Sequence, residues 1–265
     1  MSWLSPVREQ TTERLSRREF CLTLCSVVAG AACSDSTAPA FTPDPHIPRL
    51  GVRPSGPSEA ITPGLYRLNT GDKSSLLMVP EGYSPNTPLP LVVALHGAGS
   101  TAQGPIDFLT PYAESNRFIV LAPESAGGTW DGVEGIYGPD LVTIDAALRL
   151  TFASCAVDAA RICLEGFSDG ASYALGVGIT NPEIFARVVA FSPGFVTNAE
   201  QQSQKPRVFV SHGTRDGVLP IDTTSRVIVP ELRADGYDVT YVEFDGTHMI
   251  PTAIASAAVQ FILAA

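Results

Sequence analysis

Short apolar runs alternate with longer segments whose apolar residues recur at three- and four-residue intervals along the chain from Pro90 to Ala265. The unbroken runs "PLVVALHG", "FIVLAPE", "RICLEGFS", "RVVAFSPG", "PRVFVSHG" and "DVTYVEF" predict strands that are apolar on both faces, as in a covered parallel sheet. The periodic segments "GPIDFLTPYAESNR" and "DLVTIDAALRLTFAS", the stretch from Ser168, "DTTSRVIVPELRADG" and "PTAIASAAVQFILAA" predict helices. Such alternation implies right-handed crossovers, hence an α/β fold: a mostly parallel twisted sheet with helices on both faces. "LYRLN" and "SSLLMVP", joined by "TGDK", predict an antiparallel hairpin ahead of it. Only "GFVTNAEQQSQK" (Gly194 to Lys205) separates two of the later strands, so no large lid domain is expected.

The chain before this pattern reads differently. "LSRREFCLTLCSVVAGAACSDSTAPA" carries an arginine pair, a short apolar run and a polar tail, so residues 1–32 are read as an export signal. The apolar run from Phe20 to Ala32 is shorter than the roughly 20 residues a bilayer span requires. "SRREF" resembles a twin-arginine export signal, with Cys21 where that pattern continues with Leu, and "GAAC" resembles a bacterial lipobox with Gly30 in place of its Leu. Two outcomes follow: lipidation of Cys33, which makes the only predicted membrane contact, or cleavage after "APA" (Ala38 to Ala40) and release of a periplasmic or secreted protein. Residues 33–63, rich in Pro and Gly, are expected to form a tether or an extended arm, and 64–265 the folded domain.

Composition excludes more than it identifies. A formal net charge of -10, with two lysines (Lys73 and Lys205) in 265 residues, lacks the basic patch that nucleic-acid binding requires. No Cys/His/carboxylate cluster has metal-ligand spacing, and neither a metal nor an organic cofactor is expected. Of the cysteines beyond the leader, Cys155 and Cys163 either pair with each other or are buried separately.

Candidate chemistry lies at the predicted strand ends, where sites of such sheets form. Gly166-Phe167-Ser168-Asp169-Gly170 fits G-x-S-x-G at a strand-to-helix junction, which exposes a serine hydroxyl at a helix N-terminus. "SHGTRDGVLP" places Asp216 past a later strand and "FDGTHMIP" places His248 past the next, giving nucleophile, acid and base in the order Ser168, Asp216, His248. Asp222, Asp238 and Asp245 are weaker substitutes for Asp216, one opening a helix, one preceding a strand and one too close to His248. "LHGAGS" (Leu95 to Ser100) predicts a glycine turn at Gly97 and Gly99, with the amides of Ala98 and Asp169 as an oxyanion hole and His96 bracing the loop. His212 reads as a structural hydrogen-bond donor.

The segments "LHGAG", "TWDG" followed by "GPDLVTIDAAL", "GFSDGAS", "HGTRDGVLP" and "GTHMIP" resemble the α/β-hydrolase superfamily from about Gly64 to Ala265, and within it the compact bacterial esterase, carboxylesterase and polyhydroxybutyrate-depolymerase-like group. The resemblance implies a serine hydrolase with Ser168, Asp216 and His248 as its triad. The expected substrate is a small-molecule or polymer ester in an open cleft, with Trp130 and Tyr137 from "AGGTWDGVEGIYG" either forming one wall or packing in the core, and Phe195, Tyr173 and Met249 as further lining. A thioesterase or serine peptidase of the same fold is the nearest alternative, and a non-catalytic surface-binding lipoprotein the alternative of another class.

Overall fold

The computed structural model describes residues 4–6, 41–58, 61–71 and 73–264. One sheet runs through them in the order β1-β2-β3-β5-β4-β6-β7-β8-β9. Its strands are β1 (Leu4–Pro6), β2 (Gly64–Asn69), β3 (Ser74–Val79), β4 (Leu89–Leu95), β5 (Ile119–Ala122), β6 (Val157–Phe167), β7 (Arg187–Phe191), β8 (Arg207–Gly213) and β9 (Val239–Phe244). β2 and β3 form the expected antiparallel hairpin, with β1 antiparallel at its outer edge and β3 antiparallel to β5; every pairing from β5 through β4 to β9 is parallel. The helices are α1 (Gln103–Asn116), α2 (Pro139–Ser154), α3 (Asp169–Thr180), α4 (Ser225–Ala234) and α5 (Thr252–Leu263).

The unbroken apolar strands are explained by helices on both faces. Along β4, Leu89, Leu91, Val93 and Leu95 enter the core shared with α2, α3 and α4, while Val92 and Ala94 enter the core shared with α1 and α5. Successive side chains of a strand point to opposite faces, so a doubly covered strand must be apolar throughout. No inserted domain lies between β7 and β8 among the described residues, and none of their helices is long and apolar enough to cross a membrane.

One open alternative is decided and one expectation changes. Cys155 and Cys163 are both free, and they lie in the cores on opposite sides of the sheet, which keeps them from pairing. Burial pushes the Cys155 thiol up to about 12 and the Cys163 thiol up as well. The segment read as a tether or arm is a packed arm over its described part. Leu50 and Val52 are buried, the Leu50 amide donates to Asn181 Oδ1 (2.8 Å), and the Gly51 and Val52 amides donate to Asp145 Oδ1 (2.8 and 2.7 Å). Side-chain acceptors satisfy an extended backbone that no strand pairs, so residues 41–58 belong to the folded unit, which is not confined to the stretch from Gly64 onward. Leu4–Pro6, inside the expected export signal, pairs with β2; the remainder of that signal and Cys33 lie outside the described residues.

Candidate active site

β6 ends at Phe167 and α3 begins at Asp169, leaving Ser168 alone to turn the chain. It does so at φ 59°, ψ −122°, a conformation that costs a non-glycine residue about 1–3 kcal/mol. The flanking glycines are required by close approach. A Cβ on Gly166 would sit 2.2 Å from the Gly170 carbonyl oxygen, and one on Gly170 would sit 2.3 Å from that of Leu95 and 2.5 Å from that of His96. The backbone strain is therefore held by tight packing of α3 against the end of β4.

Ser168, Asp216 and His248 come together at the ends of β6, β8 and β9. Asp216 Oδ2 accepts from His248 Nδ1–H at 2.6 Å. Because a carboxylate can only accept, the proton sits on Nδ1, and Nε2 is left to accept from the Ser168 hydroxyl at 2.9 Å. Asp216 Oδ1 accepts the Val218 and Leu219 amides, each at 2.9 Å. Burial alone would raise the Asp216 carboxyl, but those amides and His248 outweigh it and hold it below the usual carboxylate range. The Phe167 ring lies 4.7 Å from the imidazole, centroid to centroid, and fixes its tilt.

The substitutes for Asp216 are engaged elsewhere: Asp222 with Arg226, Asp238 with Arg207 and Asp245 with Arg215. His212 is fully buried and does more than its sequence position implied. Its Nε2–H donates to the Leu219 carbonyl at 2.8 Å and lies 3.2 Å from Asp216 Oδ2, while Nδ1 accepts from the Ser225 hydroxyl at 2.7 Å. Burial lowers its pKa, which favours the neutral ring this bonding pattern needs.

The β4–α1 loop closes the other side. The amides of Ala98 and Asp169 have no acceptor among the described residues, whereas Gly99 N–H donates to Gly128 O and Ser100 N–H to Gly97 O. His96 braces this loop from within the protein: Nε2 accepts the Ser125 amide at 3.2 Å, leaving Nδ1–H to donate to Gly97 O at 2.9 Å.

Four of the expected lining residues are elsewhere. Trp130 is buried and donates Nε1–H to His96 O (2.8 Å). Tyr137 is buried with its hydroxyl on Thr197 and Asn198 O, and Tyr173 is buried with its hydroxyl on Asp131. These three side chains stack in the core under the 126–138 loop, so the loop buttresses the site instead of walling it. Asp131 and Asp140 tie that loop together by accepting each other's backbone amides, and burial lifts Asp140 to about 6. Phe195 is exposed and does not border the opening; its segment is fastened to α3 through Ser172 Oγ. Met249 does line the opening, and half of it is exposed.

That opening is a cleft of about 580 Å³ on the α1 side, bounded by Gly97, Ala98, Pro105, Phe108, Phe167 and Ile250 beside Ser168 and His248. Glu165 also borders it.

A family model described as Phospholipase/Carboxylesterase matches residues 141–264. Feruloyl esterase C of Emericella nidulans is 26% identical over 192 residues, which cover 69% of this chain and 67% of that protein. The chain has an α/β-hydrolase fold and is similar to esterases of that fold. Solved esterase structures share its fold. An acetyl xylan esterase from Aspergillus awamori aligns with TM-score 0.61 at 17% identity, covering 75% of this chain and 98% of that chain. A ferulic acid esterase from Anaeromyces mucronatus, solved with ferulic acid, aligns with TM-score 0.54 at 16% identity, covering 81% and 92%.

Proposed function

We propose that this esterase-type hydrolase cleaves carboxylic esters through an acyl-enzyme on Ser168. The observation that carries the reading is the continuous hydrogen-bond chain from the Ser168 hydroxyl through His248 to Asp216, beside two free amides. His248 Nε2 takes the serine proton as Oγ attacks the ester carbonyl, and the Ala98 and Asp169 amides stabilise the oxyanion that forms. The same imidazole then protonates the leaving alcohol, and water repeats the sequence in reverse to release the acid. Asp216 keeps the ring in the Nδ1–H tautomer and stabilises the imidazolium.

The apolar cleft and the feruloyl esterase relatives favour esters with an aryl or apolar acyl group over peptides or thioesters. The export-signal pattern of residues 1–32 supports a location outside the cytoplasm, with the lipobox-like "GAAC" favouring an anchor at Cys33 over cleavage and release. Hydrolysis of 4-nitrophenyl acetate by the Ser168→Ala protein tests the mechanism. The turnover number is expected to fall roughly 10⁴-fold or more, with the thermal midpoint little changed because the strained backbone is kept. Retained turnover, or a large loss of stability, would make Ser168 a structural residue.

A further inference from the structure

Glu165 is a carboxyl where the strand pattern calls for an apolar side chain. Alternation along β6 puts Cys163, Glu165 and Phe167 on the face covered by α1 and α5, and Cys163 is packed in the core there. Glu165 itself is 3% exposed, yet it borders the cleft and has no hydrogen-bond partner among the described residues. Among the described residues the fully buried side-chain atoms without a partner are Arg187 Nε and Ser192 Oγ, so the Glu165 oxygens, which pair with nothing, open onto the cleft. No cation pairs with Glu165 among the described residues, and burial alone lifts the carboxyl to about 8, so at neutral pH it is an acid able both to donate and to accept.

Its surroundings describe what would satisfy it. Phe108, Pro105, Phe167 and Ile250 make the walls apolar. Three residue steps along the end of β6 lead from Glu165 to Ser168, a backbone span of about 10 Å, comparable with an aryl-propenoyl group measured from its carbonyl to its para position. We propose that Glu165 is a specificity contact at the inner end of the cleft, exchanging hydrogen bonds with a hydroxyl group on the otherwise apolar part of the ester that the cleft receives. This rests on the serine-esterase reading and assigns it a substrate class, esters bearing a hydroxylated aryl or comparable apolar group. A site built to bond a hydroxyl rejects the analogue lacking one, because its own polar group is then left unpaired.

The test compares near-isosteric pairs: methyl 4-hydroxycinnamate against methyl 4-methylcinnamate for a hydroxyl on the acyl part, and 4-hydroxyphenethyl acetate against 4-methylphenethyl acetate for one on the alcohol part. Wild type is expected to prefer the hydroxylated member of one pair by about 10-fold or more in kcat/KM, and that pair identifies which part enters the cleft. Glu165→Leu should bring the ratio to about 1 or invert it, and Glu165→Gln, which both donates and accepts, should keep most of it. No preference by wild type in either pair, or an undiminished preference in Glu165→Leu, overturns the proposal. Labelling of Ser168 by a fluorophosphonate that carries no hydroxyl separates the two readings. Labelling without a hydroxyl preference removes the Glu165 assignment alone, and no labelling of folded wild type removes the esterase mechanism beneath it. Should Glu165→Leu fail to fold, the wild-type ratios and Glu165→Gln still decide.

Discussion

Ser168, Asp216 and His248 were legible in the sequence because their chemistry depends on residue type and chain order, both of which are written in the letters. Glu165 and His212 were not, because each acquires its significance from what surrounds it: Glu165 from an apolar cleft that gives it no partner, His212 from a 3.2 Å approach to Asp216. The signal for Glu165 was nonetheless present, as one charge inside "RICLEGF". Its buried state has a thermodynamic consequence. A carboxyl at about 8 in the folded protein and about 4.3 unfolded holds a proton when folded that the unfolded chain has already lost. It therefore lowers stability progressively as pH rises from about 4.3 to about 8, and has no further effect above that. Glu165→Gln should gain stability over wild type across this window, most at its upper end. Denaturant midpoints measured at several pH values check this, and parallel wild-type and variant curves would mean that Glu165 is ionised in the folded protein.

At the scale of elements, the β6–α3 junction shows why the two glycines of "GFSDG" cannot be replaced. The obstacle at Gly170 is backbone, the carbonyl oxygens of Leu95 and His96, which no rotamer change can relieve. Gly170→Ala is expected to cost about 3 kcal/mol or more, lowering the thermal midpoint by roughly 6–12 °C and displacing the Ser168 hydroxyl from His248. A variant with an unchanged midpoint and full activity would show that α3 and β4 are less tightly joined than described. The elements themselves followed from periodicity, whereas the role of the 126–138 loop did not. A Gly-rich loop with Trp and Tyr is equally consistent with a substrate wall or a buried stack. Hydrogen bonds to groups distant in sequence, Trp130 to His96 and Tyr137 to Thr197 among them, decide for the stack.

For the whole molecule, the parallel sheet was legible because six apolar strands alternate with amphipathic helices, and the packed arm was not. Prolines and glycines in residues 41–63 resemble a free linker, and the groups that satisfy the arm's backbone, among them Asn181, Asp145, Ala153 and Tyr137, lie far along the chain. The described part of this arm lies against α2 and the C-terminal end of α3. In cells, the exported protein is expected to partition into the detergent phase on phase separation, and Cys33→Ala to remain aqueous. Wild-type protein found only in the aqueous phase would replace the anchor by simple cleavage.

The most direct measurement is mass-mapped labelling of the wild type and of Ser168→Ala with a fluorophosphonate, since reaction requires the nucleophile, its base and the oxyanion amides to act together. A single adduct on Ser168, absent from a folded Ser168→Ala protein, is the predicted result. A folded wild type that takes up no label, or takes it up at another residue, would contradict the central claim that the Ser168–His248–Asp216 chain is a working catalytic machine.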